Sequence, residues 1–262
     1  SNDVINAGTV VNLEATIDVT RSVILVEYDG KDKIATTKPL AISRAIYPIT
    51  PGEVIAEAGV VLDIGSHGLE YQAPIGWGTG SPPYTNEVFE YSAFYLMGDY
   101  DNTLIRVDVD NDGIDDMSFR LGPGQSRVLT GIAPGARVAG NKPFQCHIVT
   151  GDILSNYETR WFTQWPVSDW SSDYFTPVGG RTNQTEVGQP YYKALVYLFN
   201  PSTSPLTIQY QTRISSGAIT VAAASVSSVF VMPGDSGARF FSTNGQPFAA
   251  SEVYDGTAPG LV

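Results

Sequence analysis

The chain has 262 residues, 42% hydrophobic, 11% aromatic and 16% charged, a composition that excludes a wholly disordered chain and a coiled coil. Fifteen lysines and arginines against 27 aspartates and glutamates leave a formal charge of −12, so most of the surface repels polyanions and nucleic acid is disfavoured as a partner. The single cysteine forbids an intramolecular disulfide, and no run approaches the roughly 18 apolar residues of a membrane-spanning helix.

Ser1-Asn2 resembles an expression scar and no charged-then-apolar signal segment follows it, so the chain is expected to come from a longer protein. Self-similar segments then organise the sequence. GKDKIATTKPLAISRAIYP around Pro39, GARVAGNKPFQCHIVTGD around Pro143 and GARFFSTNGQPFAASEVYDG around Pro247 follow one another at 104 residues. GLEYQAPIG (68–76) is answered by SSDYFTPVG (171–179), and YSAFYLMGDYDNTLIRV (91–107) by YKALVYLFNPSTSPLTI (192–208). The period predicts two full modules, residues 53–152 and 153–258, with residues 3–50 corresponding to the closing half of a third.

Within a module the hydrophobic period is two. Ile105, Val107 and Val109 alternate with Arg106, Asp108 and Asp110, and after a turn Met117, Phe119 and Leu121 alternate with Ser118 and Arg120, the pattern of a half-buried hairpin. SVILVEY (22–28), SAFYLM (92–97) and KALVYLF (193–199) are apolar at nearly every position and predict strands covered on both faces. Gly122-Pro123-Gly124, Ala133-Pro134-Gly135 and Met232-Pro233-Gly234 punctuate them at the rhythm of a sandwich or barrel. No 3.6-residue stripe is present. The expected fold is all-β, with tandem β-sandwich modules at an internal repeat of about 104 residues.

Trp165-Pro166-Val167, the stretch from Tyr174 to Gly179, Thr207-Ile208 and Gln246-Pro247, with Lys142-Pro143 and Lys38-Pro39 in the other copies, make a unit that resembles the N-terminal domain family of IgG-Fc-binding proteins and its bacterial surface relatives. The resemblance covers most of residues 3–258. It implies an extracellular, non-enzymatic binding or adhesion module, and it does not imply that this chain binds antibodies.

The sharpest chemical motif is the loop from Asp108 to Asp116, with five aspartates within nine residues. Hard cations need several oxygens converging on one point, and carboxylates at alternate positions around a glycine turn provide them. Asp108, Asp110 and Asp112 are the expected side-chain ligands, Ile114 the backbone carbonyl donor and Asp116 the closing ligand. Without a cation these charges repel one another. The loop resembles the calcium loops of thrombospondin type 3 repeats and dockerins, but Phe119 stands where an EF-hand has its glutamate, and strands rather than helices flank it. The corresponding stretch of the second module, QTRISSGAIT (211–220), carries no carboxylate.

Other constellations read as structural. Gly234-Asp235-Ser236-Gly237 matches the nucleophile neighbourhood of trypsin-like proteases, yet neither His67 nor His147 has a base's sequence context, and the repeat aligns the motif with an ordinary strand entry. Cys146 and His147 point to opposite faces of a strand, giving a buried thiol and a partly exposed imidazole. His67 lies at a turn with no zinc-ligand partner in sequence. The four tryptophans, Trp77, Trp161, Trp165 and Trp170, cluster in the connections that open the modules, either filling the seam between modules or forming a ligand platform.

The expected function is therefore a non-catalytic, calcium-binding module of the cell surface or extracellular space, acting in adhesion, binding or structural support, with a host or cell-surface protein or glycan as partner. The alternatives are a carbohydrate-binding module using the aromatic loop residues, and a hydrolase with an unrecognised pair of acids.

Overall fold

The computed structural model describes residues 4–13, 34–46, 57–79, 89–151, 159–177 and 192–256. Within them the chain is all-β, with two short 3-10 turns at Ile64–Ser66 and Val167–Asp169. The expected strand at 22–28 and most of residues 3–50 lie outside the described residues; the N-terminal part contributes β1 (Ser43–Ile46), which pairs antiparallel with β2 (Glu57–Val60). A first unit follows with β3 (Gly68–Gln72), β4 (Tyr91–Gly98), β5 (Thr103–Asp108), β6 (Met117–Leu121), β7 (Ser126–Thr130), β8 (Arg137–Gly151) and β9 (Thr159–Thr163). A second has β10 (Asp173–Thr176), β11 (Tyr192–Asn200), β12 (Leu206–Thr212), β13 (Ser216–Val221), β14 (Ser225–Val226), β15 (Phe230–Val231), β16 (Ala238–Ser242) and β17 (Ala249–Gly256).

The 15-residue β8 is the central strand of the first unit's seven-stranded sheet. Its first half pairs with β3 and β5, and its second half with β4 and β9. Val138 and Ile148 nevertheless share one core with Phe94, Leu96, Ile105 and Val107. Ten residues of straight strand would hold those two side chains about 33 Å apart, so β8 bends. The bend falls between the last β5 partner, Gly140, and Phe144, where β3 also shifts register. Gly140 has no room for a side chain there, because a Cβ would press on the Lys142 carbonyl and the Phe144 ring. In the second unit the bend becomes a break. β16 joins β10 and β12 in one sheet, β17 joins β11 in another, and the two sheets close on Val196, Leu198, Ile208, Val221 and Phe240.

The two units use the same local devices. Tyr71 accepts the Gly68 N–H at 2.7 Å and donates to the Phe144 carbonyl at 2.8 Å, its ring edge-on to Phe144. Tyr174 accepts the Ser171 N–H and donates to the Phe248 carbonyl, each at 2.8 Å, with its ring edge-on to Phe248. In both cases burial raises the phenol pKa, which keeps each hydroxyl neutral and able to donate. Arg137 pairs with Glu70 at 2.7 Å as Arg239 pairs with Asp173 at 2.6 Å. Tyr71→Phe and Tyr174→Phe are each expected to cost about 1–3 kcal/mol, because each strands a backbone donor and acceptor, and the double variant should be additive because the tyrosines share no partner. Urea unfolding of the three variants measures this. A cost below about 0.5 kcal/mol for either single change would show that its hydroxyl bridge contributes little.

The continuous apolar runs are explained by burial on two faces. Along β11, Val196 and Leu198 face the core of their own unit, while Leu195 and Tyr197 turn outward against Ile75 and Phe89 of the first unit. Phe89 meets Tyr197 edge-on at 5.3 Å. Along β4, Phe94 and Leu96 face inward, while Ala93 and Tyr95 pack outward with Val149 and Trp161.

Candidate metal centre

The β5–β6 hairpin carries the acidic loop at its tip. Ile105 and Val107 anchor β5 in the core and Val109 packs against it, so the alternating Arg106 and Asp110 project towards solvent. Nine residues, 108–116, link the last cross-strand pair of β5 and β6, Val107 and Met117, whereas four, 212–215, link the last pair of β12 and β13, Gln211 and Ser216.

Asp108, Asp110 and Asp116 each bring one carboxylate oxygen to within 4.8 Å of the others. Calcium binds oxygens at roughly 2.3–2.6 Å, so ligands on opposite sides of one ion stand about 4.6–5.2 Å apart, and the triad fits that span. Asp108 is 6% exposed, while Asp110 and Asp116 face solvent. The loop also organises its own backbone. Asp108 accepts the Asn111 N–H at 2.7 Å and the Gly113 N–H at 2.9 Å, and Asp116 accepts the Val109 N–H at 2.7 Å. Asn111 and Gly113 adopt left-handed conformations at φ 63° and 86°, which asparagine and glycine tolerate best.

Of the five ligands expected from sequence, the structure brings together these three. Asp112 lies outside the triad, with Oδ1 accepting the Ile114 N–H at 2.7 Å, and Ile114 is exposed. Asp115 faces Arg106 at 4.0 Å, an exposed pair that contributes little. Arg137 lies opposite Asp108 in register, and its guanidinium pKa is raised first by the Glu70 hydrogen bond, with further contributions from Asp115 and Asp108. Sequence reasoning placed no role on Asn111. Its amide packs against Gly135, where a Cβ would collide with it, and donates across to the Ala224 carbonyl of the second unit at 3.0 Å. The Asn-Asp-Gly spelling signalled the turn, but nothing local signals a partner 113 residues away.

The remaining motifs fall as follows. Ser236 accepts the Arg213 N–H and donates to the Gly237 carbonyl, as a buried turn residue, while both histidines lie on the first unit. Cys146 faces the core, where burial raises its thiol pKa. His147 is buried at 6% exposure rather than partly exposed, because Trp161 stacks beside it and the β1–β2 hairpin covers both, with Arg44 over the indole at 3.6 Å. Burial, then the charges of Arg44 and His67, push its pKa down to about 3. His67 also differs from an open turn residue: its buried ring bonds the Asp99 carboxylate through Nδ1 at 2.7 Å. Trp77 is 62% and Trp165 54% exposed, and Trp170 rests edge-on against Phe199.

Among the described residues no helix is long and apolar enough to cross a membrane. Comparison with protein-family models, curated proteins and solved structures returns no match.

Proposed function

We propose that this chain is a non-catalytic module of the cell surface or extracellular space, built from two copies of one β-sandwich, that binds calcium at the β5–β6 hairpin and serves adhesion, binding or structural support. The observation that carries the reading is the convergence of Asp108, Asp110 and Asp116 in a hairpin whose counterpart is shorter and free of carboxylates. A β-hairpin forms without such acids in β12–β13, and a cation at the β5–β6 loop relieves their mutual repulsion. The ion ties β5 to the turn residue Asp116 and holds the loop from which Asn111 reaches the second unit, so its effect is to stiffen the hairpin and the seam. The extracellular assignment draws on the net charge and on the family resemblance of the repeated Pro and Tyr motifs.

Isothermal titration with calcium and with magnesium, together with thermal melting in calcium and in excess chelator, tests the reading. Calcium should bind one site per chain and raise the melting temperature through mass action on the folded state. Asp110→Asn keeps the short side chain and its acceptor oxygen but removes a charge and a metal ligand. It should abolish the calcium-dependent rise while leaving melting in chelator unchanged. Identical melting in calcium and chelator, with no heat of binding, would leave a solvated acidic turn.

A further inference from the structure

We propose that the cleft at the seam between the two units binds a neutral oligosaccharide. The cleft is open to solvent and holds about 460 Å³, within the roughly 300–1,000 Å³ of small-ligand sites. The first unit contributes Pro74 and the end of β9, and the second contributes the Val167–Asp169 turn with Trp170 and the start of β17.

Two indoles lie in its wall. Trp165 is largely exposed, and Trp170 is half-buried and meets Phe199 in a T-shaped contact with ring centroids 6.2 Å apart. An indole offers a broad apolar face with a negative quadrupole, which suits the C–H face of a pyranose ring. The polar residues of the lining are Thr163, Gln164, Asp169, Tyr174, Ser251 and Glu252. Asp169 only accepts hydrogen bonds, Gln164 does both, and Ser251 does both, so the cleft asks for a ligand that donates as well as accepts. Sugar hydroxyls do so. A proline-rich peptide would also stack on tryptophan, but its imide nitrogens carry no N–H for Asp169. No lysine or arginine lines the cleft and the chain carries −12, so acidic sugars are disfavoured.

The platform is fixed before any ligand arrives. Pro166 packs so closely on Gly68 of β3 that any Cβ there would collide with it. The Asp169 N–H donates to the Pro166 carbonyl at 2.9 Å, and the Trp170 N–H to the Val167 carbonyl at 3.3 Å. A rigid site loses less entropy on binding. The cleft shares no residue with the acidic loop, so the glycan reading stands apart from the calcium reading.

Titration of the full chain with neutral hexasaccharides of glucose, mannose, xylose, galactose and N-acetylglucosamine, followed by calorimetry and tryptophan fluorescence in calcium and in chelator, tests the proposal. At least one sugar should bind with a Kd of about 1 mM or tighter in both conditions and change the tryptophan emission. Trp165→Ala should weaken binding at least about tenfold, Trp170→Phe should weaken it while an aromatic ring stays on Phe199, and Trp77→Ala, outside the cleft, should leave it unchanged. Equal melting temperatures for the parent and Trp165→Ala show that the variant folds. No binding of any sugar at about 5 mM, binding indifferent to Trp165→Ala, or binding of decaproline in place of the sugars would each overturn the proposal.

Discussion

Asp108→Ala is expected to abolish calcium binding and to destabilise the protein by about 2–4 kcal/mol even in chelator, whereas Asp112→Ala should change stability by less than about 0.5 kcal/mol and leave calcium binding within a few-fold. The difference follows from what each carboxylate holds. Asp108 is buried at the end of β5 and accepts two backbone N–H groups, from Asn111 and Gly113. Both of those residues are held at positive φ, so the loop has no easy alternative for their donors. Removing the acceptor strands two N–H groups and takes away a ligand of the triad at once. Asp112 accepts a single exposed N–H, from Ile114, and lies outside the triad. Urea unfolding in chelator and calcium calorimetry on both variants separate these outcomes. Equal losses for the two variants would restore the five-ligand sphere that the spacing alone predicts.

Acidification should remove about 1.4 kcal/mol of stability per pH unit below about 6.5 through His147 alone, or about 2–3 kcal/mol by pH 4.5. In the folded chain its pKa is pushed down to about 3, first by burial and then by the charges of Arg44 and His67, from an ordinary value of 6.5. Between those values the unfolded chain binds a proton that the folded chain excludes, so stability rises with pH across the window. Above 6.5 both states are neutral and the penalty vanishes; below about 3 it is complete. His147→Phe keeps a ring against Trp161 and cannot titrate. Its melting temperature should therefore fall less steeply than the parent's between pH 6.5 and 4.5. Parallel acid limbs for the two proteins would falsify the assignment.

The local order of this chain was legible from its residues. The alternation of Ile105, Val107, Phe119 and Leu121 sets a hairpin because side chains of a strand turn to opposite faces, and the paired register of β5 and β6 follows that alternation. The acidic loop is likewise local: every hydrogen bond that Asp108, Asp110, Asp112 and Asp116 accept comes from within seven residues. Spacing therefore located the acidic cluster, but it did not separate Asp112 from the triad, because that depends on the backbone angles at Asn111 and Gly113 and on the burial of Asp108.

Only the tertiary structure decided the rest. Alternation placed Cys146 and His147 on opposite faces, yet the exposure of the histidine depended on whether something covered the outer face of β8, and the β1–β2 hairpin and Trp161 do. Asp99 becomes the partner of His67 because β3 and β4 both meet β8 at Phe144, a coincidence of register between segments thirty residues apart. The apolar runs of β4 and β11 announced two covered faces without naming the cover, and the seam of Phe89, Leu195 and Tyr197 supplies it for β11. Backbone sterics and side-chain period fix what a segment becomes within a few residues. Which faces then meet is a matter of the whole sheet's bend and packing, and that is where Trp165, Trp170 and Asp169 are brought into one cleft.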